Sequence, residues 1–361
     1  MQRSIYIRPV GLFPAPLEEG EQAWGGLPLA GQPLRFAAVE IIEREGKTAN
    51  RRIVALGDAF ERDWGRYTLA ASDLLEAIRA PRARLAGLAL DRPRIMGIVN
   101  VTPDSFSDGG MLGSAQDAID HGLRLAEEGA DILDIGGEST RPGADPVSLE
   151  EELARVIPVI EGLRAKTETL ISIDTRKAEV MRRAAAAGAD ILNDVSALTY
   201  DPQSLAVAAE TGLPVILMHA QGDPKTMNDD PHYADVVLDV FDFLEKRIAA
   251  CEAVGIPRSK LVADPGIGFG KHLHHNVAVM SALSLYHALG VPVLIGASRK
   301  KLIDRICDVP NPKDRVPGSL AAALAGAAQG VQITRVHDVA ATGQALAAWE
   351  AVLRGSDKVP G

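Results

Sequence analysis

The chain has 361 residues, 47% hydrophobic and 24% charged, enough apolar material for a sizeable globular core. Its formal net charge of −10 argues against nucleic acid or an anionic membrane as a general partner, and an anionic small molecule would need a local cluster of Arg and Lys. The two cysteines, Cys251 and Cys307, are not at metal-ligand spacing, the first residues lack the apolar core of a signal peptide, and no stretch approaches the ~20 apolar residues of a membrane span. The expectation is a soluble, cytoplasmic protein with structural thiols.

Residues 1–92 are rich in Pro, Gly and Arg and include Trp24 and Trp64. Residues 4–7, 34–42 and 52–56 read as short strands, and 69–79 as a helix followed by a basic link, 79–84. No catalytic constellation occurs here, so a small α/β extension serving packing or assembly is expected.

From Arg94 the pattern becomes regular. Apolar runs at 95–99, 132–135, 170–173, 191–192, 214–218, 261–263, 293–295 and 331–333 alternate with amphipathic stretches at 114–128, 148–166, 177–187, 203–210, 234–253, 275–289, 299–305 with 320–328, and 339–353. Gly129-Ala130-Asp131 and Gly188-Ala189-Asp190 fit short turns with glycine at a helix end. Eight strand–helix units over about 260 residues match the count and size of a (β/α)8 TIM barrel. A doubly wound open sheet is the alternative; it usually has fewer strands and one nucleotide-binding turn near its start. The expected layout is an extension over 1–92, a barrel over 93–355 and a short tail over 356–361.

Polar residues follow the apolar runs in turn: Asn100; Asp134 and Gly136 to Gly143; Asp174 and Thr175; Asn193 and Asp194; Met218-His219; Asp264-Pro265-Gly266; Ser298-Arg299-Lys300; Arg335 and His337. Eight successive strands delivering polar groups to one rim is how barrel enzymes build their sites, and such a ring is costly unless a ligand uses it. Asp134, Asp174, Asn193 and Asp264 suit a heterocycle carrying several N–H groups. Arg141, Lys300, Arg335 and His337 suit a phosphate or diphosphate, helped by backbone N–H groups where Ser298-Arg299-Lys300 opens a helix. Gly266-x-Gly268-x-Gly270-Lys271 is not a P-loop, since His272 replaces Ser or Thr and the spacing differs. It reads as a flexible loop over a flat ligand, with Phe269 and Lys271 in contact. His272, His274 and His275 read as a solvated helix start, and His219 as either a ligand or a satisfied rim histidine.

Residues 94–110 (RIMGIVNVTPDSFSDGG) and 131–143 (DILDIGGESTRPG) resemble the two pterin-binding signatures of the dihydropteroate synthases. The resemblance continues through Ile173-Asp174-Thr175, Asn193 to Ser196, Met218-His219, residues 264–271 (DPGIGFGK), 296–300 (GASRK), 315–319 and 335–339, and so covers about 93 to 354. It implies joining of 6-hydroxymethyl-7,8-dihydropterin diphosphate to para-aminobenzoate, giving dihydropteroate and diphosphate. By that resemblance the pterin sits on Asp174, Asn193, Asp264 and Lys300, walled by Met218 and Phe269. Asn100, Thr140, Arg335 and His337 hold the diphosphate, Asn100 also binding Mg2+. Asp108 and Arg141 act from the first and second loops, and Phe106, Pro142 and Ser298 border the para-aminobenzoate. A homodimer is implied on the same footing. Residues 301–304 depart from the family pattern and leave the packing of the seventh helix open. Diphosphate is a good leaving group once cations neutralise it, and its loss leaves a cation conjugated to an electron-rich ring, so an SN1-like path needs no protein nucleophile. Two rivals stay open on the residues: a methyltransferase using a methylated reduced folate, and a non-catalytic pterin-binding protein.

Overall fold

The computed structural model describes residues 4–15, 26–61, 64, 67–101, 115–139, 146–222, 227 and 229–356. The N-terminal part is an antiparallel sheet of β1 (Ile5–Pro14), β2 (Leu27–Pro28), β3 (Leu34–Glu45) and β4 (Thr48–Ala55), followed by α1 (Leu56–Glu61) and α2 (Thr68–Arg79). β3 is central, pairing with β1 along one edge and with β2 and β4 along the other. β3 and β4 form a tight hairpin in which Gly46 takes the positive φ (+62°) that the turn requires. α2 buries Ala71, Leu74, Leu75 and Ile78, one stripe at helical spacing. The sequence reading found three of these strands and the second helix. It ended the first strand too soon and missed β2 and α1, which are short.

The remaining chain alternates: β5 (Arg94–Asn100), α3 (Ala115–Glu127), β6 (Ile132–Gly136), α4 (Leu149–Arg164), β7 (Leu170–Asp174), α5 (Ala178–Ala187), β8 (Ile191–Asp194), α6 (Ser204–Thr211), β9 (Val215–Met218), α7 (Val236–Ala253), β10 (Leu261–Asp264), α8 (Leu273–Ser281), β11 (Leu294–Ile295), α9 (Lys301–Cys307), α10 (Val316–Ala327), β12 (Ile333–Val336) and α11 (Val339–Arg354). Helix ends follow local chemistry. The Ser148 side chain accepts from Glu151 N at the start of α4, whose first turn holds three glutamates; α5 ends on Gly188 at φ +106°.

β5 to β12 form one parallel sheet, ordered β10-β9-β8-β7-β6-β5-β12-β11, and a parallel bridge from Ala263 to Val293 joins its two edges. The fold is therefore the (β/α)8 barrel expected from the repeat, not an open doubly wound sheet.

Inside the barrel, side chains stack by strand periodicity. The lower layer takes one apolar residue from each strand: Met96, Ile132, Leu170, Ile191, Ile216, Val262, Leu294 and Ile333. Leu85 and Leu90, from the link after α2, join this cluster at 1% and 3% exposure and stopper the barrel's lower mouth. Two residues further along the same strands stand Ile98, Asp134, Ser172, Asn193, Met218, Asp264, Gly296 and Arg335. The barrel thus changes from oil to a polar floor within one step of two residues.

Two elements differ from the sequence reading. The eighth strand is Ile333–Val336, so Arg335 lies within it rather than beyond it; a charged residue ended the apolar pattern, yet it points to the polar floor, where acids receive it. The single helix expected over 275–289 is α8 followed by a 3-10 segment, Leu283–Leu289. All seven residues of that segment are buried, so it has no polar face with which to continue an amphipathic helix. α9 forms over 301–307 with Ile303 buried, which answers the packing question raised by its sequence. Leu85→Ala, which empties the stopper, is expected to lower the unfolding free energy by about 3 kcal/mol, measured by urea denaturation.

Candidate active site at the open end of the barrel

Parallel register places the polar residues side by side. Asn100 pairs in register with Gly136, Gly136 with Asp174, and Asp174 with Asn193. A Cβ on Gly136 would lie 3.7 Å from Asn100 Oδ1 and 3.8 Å from Asp174 Oδ2, so the absence of a side chain leaves the space between these groups open. On the other side of the barrel Asp264 pairs with Met218.

One cation ties the floor together. Arg335 Nε donates to Asp134 Oδ2 at 2.6 Å, and its NH2 group donates to Asp174 Oδ2 at 2.9 Å. Asn193 Nδ2 donates to both oxygens of Asp134, at 3.3 and 3.2 Å. The sequence reading set Arg335 with the anion-binding group and the acids with the heterocycle-binding group. The structure interleaves them: Arg335 pairs with Asp134 and Asp174 and neutralises the acids.

Burial dominates the electrostatics. It pushes the Asp174 carboxyl up to about 7, with Arg335 drawing it down and Asp134 and Asp194 pushing it further up. Asp264 is also raised, chiefly by burial and against the pull of Lys300. The Lys300 ammonium is pushed down to about 8 by burial, with Asp264 opposing. For Arg335 burial works against the charge, but Asp134 and Asp174 outweigh it and hold the guanidinium above its usual range.

Two loops wall the floor. In the loop after β10, Asp264 Oδ1 accepts from Gly266 N at 2.7 Å. Gly266 has φ +68°, and a Cβ there would strike the His219 carbonyl oxygen at 1.9 Å, so only glycine fits. Lys300 Nζ donates to the Ile267 carbonyl and stands 4.5 Å from the centre of the Phe269 ring, a cation–π contact. After β11, Ser298 Oγ is 3.0 Å from His337 Nδ1 and accepts from His337 N at 3.2 Å, so these two residues form one unit.

Other expectations are corrected. Lys271 does not face a ligand: its ammonium is buried against His219 Nδ1 (2.8 Å), Gly266 O (2.9 Å) and Phe269 O (3.1 Å). Burial accordingly pushes it down to about 7. His219 is the satisfied rim histidine. Arg299 pairs with Asp338 and its N–H donates to Ser319 Oγ, so neither is spare for an anion. His272 and His274 are exposed at the start of α8, as a solvated helix start requires. Asp108, Phe106, Thr140, Arg141 and Pro142 lie outside the described residues.

Sequence reasoning missed two features. Ser172 Oγ, in the polar floor, is buried and has no hydrogen-bond partner among the described residues; its place two residues before Asp174 was the available signal. Glu138 accepts from Val147 N (3.2 Å), Arg176 (3.0 Å) and Lys177 (3.1 Å), while Lys177 also reaches Glu152. One buried carboxylate thereby pins both ends of the β6–α4 connection, which carries Thr140, Arg141 and Pro142 in sequence.

Comparison with known proteins agrees with this geometry. Residues 96–337 match the model of a family described as pterin binding enzyme. The chain is 50% identical over 275 residues to a dihydropteroate synthase of Escherichia coli (strain K12), covering 76% of this chain and 97% of that protein. It is 53% identical over 272 residues to one from Neisseria meningitidis serogroup B, covering 73% and 94%. A solved Xanthomonas albilineans dihydropteroate synthase in complex with 7,8-dihydropteroate superposes at TM-score 0.69 with 51% identity, covering 78% of this chain and all of that one. The same enzyme with 4-aminobenzoic acid gives TM-score 0.72 at 54% identity and the same coverage. The chain belongs to the pterin-binding enzyme family, and within it to the dihydropteroate synthases.

If the ionised Asp174 carboxylate is what accepts from a bound pterin, binding should weaken as pH falls. The carboxyl is raised to about 7, so below that pH its acceptor oxygen is progressively protonated, and log Kd should climb with a slope approaching one per pH unit. Asp174→Asn should weaken binding and flatten that slope; calorimetric titration across pH 5.5–8.5, roughly the span about this pKa, measures both.

Proposed function

We propose that this chain condenses 6-hydroxymethyl-7,8-dihydropterin diphosphate with para-aminobenzoate, releasing diphosphate and giving 7,8-dihydropteroate. The observation that carries the reading is the polar floor. Asp134, Asn193, Asp264 and Arg335 lie in one layer, directly beneath a rim bearing Lys300, Ser298 and His337. Carboxylates and an amide set at that spacing accept from the N–H groups along one edge of a flat ring.

In this reading Asp174, Asn193, Asp264 and Lys300 grip the ring between Met218 and Phe269. Arg335 moves part of its charge from the acids to the diphosphate as the ring's own donors take over Asp174, and His337, Asn100 and Thr140 complete the anion site. Asp108, Arg141 and Lys300 act at the departing diphosphate, while Phe106, Pro142 and Ser298 border the aryl amine. The bond to diphosphate breaks first, the cation is spread over the ring, the amine attacks it, and the proton that the new C–N bond displaces from nitrogen passes to solvent. No covalent protein nucleophile is required.

The donor set fits Mg2+. Among the described residues no three His, Cys, Asp or Glu side chains gather to hold a metal. Mg2+ rarely needs such a cage, taking one or two protein oxygens together with substrate phosphates and water. Asn100 would supply its amide oxygen, and the bound ion would neutralise charge on the diphosphate. The protein's part is to present that oxygen beside Asp174 across the gap left by Gly136.

Further parts of the reading rest on simpler observations. No helix among the described residues is long and apolar enough to cross a membrane, and neither Cys251 nor Cys307 forms a disulfide, which supports a cytoplasmic enzyme. A homodimer would bury Val277 on α8 and Ile306 on α9, which are 44% and 60% exposed on adjoining helices. Sedimentation of the wild-type chain should give the dimer mass, and Ile306→Glu should shift it toward the monomer.

The direct test is incubation with the pterin diphosphate, para-aminobenzoate and Mg2+. The expected outcome is one dihydropteroate formed per diphosphate released, read by chromatography and phosphate assay. Asn100→Ala should lower turnover on the order of 10²-fold and flatten its Mg2+ dependence. Full activity of that variant with metal chelated would refute the role given to Asn100.

A further inference from the structure

The N-terminal sheet lies outside the residues matched by the family, and relatives covered to 97% and 100% of their own length leave about a quarter of this chain unmatched. What the sheet touches in the barrel is specific. Tyr6, fully buried on β1, donates from its hydroxyl to Asp242 Oδ1 of α7 at 2.8 Å. Arg44 of β3, with 4% of its side chain exposed, donates to Asp239 at 2.6 Å and lies 3.5 Å from Asp242. Arg51 of β4 pairs with Asp235 at the N-cap of α7.

Those acids also organise the start of α7. Asp235 caps the helix, accepting from Val237 N and Leu238 N. The second oxygen of Asp239 accepts from Ala234 N at 2.8 Å and Asp235 N at 3.2 Å. The next residue back is Tyr233, whose hydroxyl donates to the Gly270 carbonyl at 2.6 Å. Gly270 belongs to the loop after β10, which carries Phe269 at the ring-binding wall.

That loop needs outside support. Gly266, Gly268 and Gly270 all have positive φ, at +68°, +85° and +60°. Three permissive residues within five leave its backbone conformation weakly determined by its own sequence. Beyond the bonds from Asp264 and Lys300 already described, it is fixed by Lys271, by Asn276, which accepts from Gly268 N at 2.6 Å, and by Tyr233. Tyr233 alone of these three comes from the preceding β9–α7 connection, whose end the N-terminal sheet holds.

Resting on the proposed reaction, we infer that the N-terminal sheet is a brace for the pterin-binding wall: Arg44, through Asp239, fixes the start of α7, and Tyr233 passes that constraint to the loop carrying Phe269. Arg44 and Tyr233 are positioning residues, since neither touches substrate.

The test uses full-length variants Arg44→Met, Arg44→Lys, Tyr233→Phe and the double Arg44→Met/Tyr233→Phe. The expected result is a several-fold rise in KM and in calorimetric Kd for the pterin substrate, with kcat within about twofold of wild type. Arg44→Lys should recover part of the affinity. The double variant should be no worse than the worse single, because both sever one path. Unchanged Kd in Arg44→Met and Tyr233→Phe, or strictly additive losses, would overturn the brace. Should Arg44→Met fail to fold, Arg44→Lys and Tyr233→Phe decide, and wild-type Kd in both overturns it. Tight pterin binding by a wild-type chain that forms no dihydropteroate would count against the proposed reaction and leave the brace readable by Kd.

Discussion

Three carboxylates inside one barrel cannot all be ionised without a cation among them. Arg335 supplies that cation, bonded at once to Asp134 and Asp174, and Lys300 stands opposite Asp264. Buried ion pairs of this kind contribute little to stability, because the desolvation they cost offsets the attraction they gain. Their value here lies in preparation. On the proposed reading, a ring that donates N–H groups to the same carboxylates would take over bonds that Arg335 makes, and would free its guanidinium for the diphosphate.

The layering explains why so much of this was legible in the sequence. A strand in a barrel contributes every second residue to the interior, so apolar Ile132 and polar Asp134, or Ile191 and Asn193, mark two storeys of one interior. The repeat of apolar run, polar residue and amphipathic stretch therefore gave both the barrel and the end at which its chemistry sits. Arg335 was misplaced by the same rule. Its charge broke the apolar run after Ile333, and nothing local in ITRV reveals that Asp134, 201 residues away, is its partner. Lys271 was misread for the opposite reason. A lysine at the end of a glycine-rich loop looks exposed, and only the fold shows His219 and two carbonyls closing around it.

The N-terminal region was the least legible. Its strands could be found from alternation, but its function could not, because its key contacts are long-range. Tyr6 and Asp242 are 236 residues apart, and Arg44 and Asp239 are 195 apart. Each looks like an ordinary surface residue in its own segment. Brought together, they add ion pairs and a tyrosine hydroxyl bond to an apolar cluster that runs unbroken from the sheet into the outer core of the barrel, where Tyr6 also meets the Phe241 ring. Those polar bonds are directional, and they fix an orientation that the apolar packing beside them leaves less sharply defined.

The leucine stopper has a consequence for traffic. With Leu85 and Leu90 packed on the apolar lower layer, that end of the barrel is closed. A ligand that reaches the polar floor therefore approaches from the opposite rim, and a long product leaves by the way its parts came in.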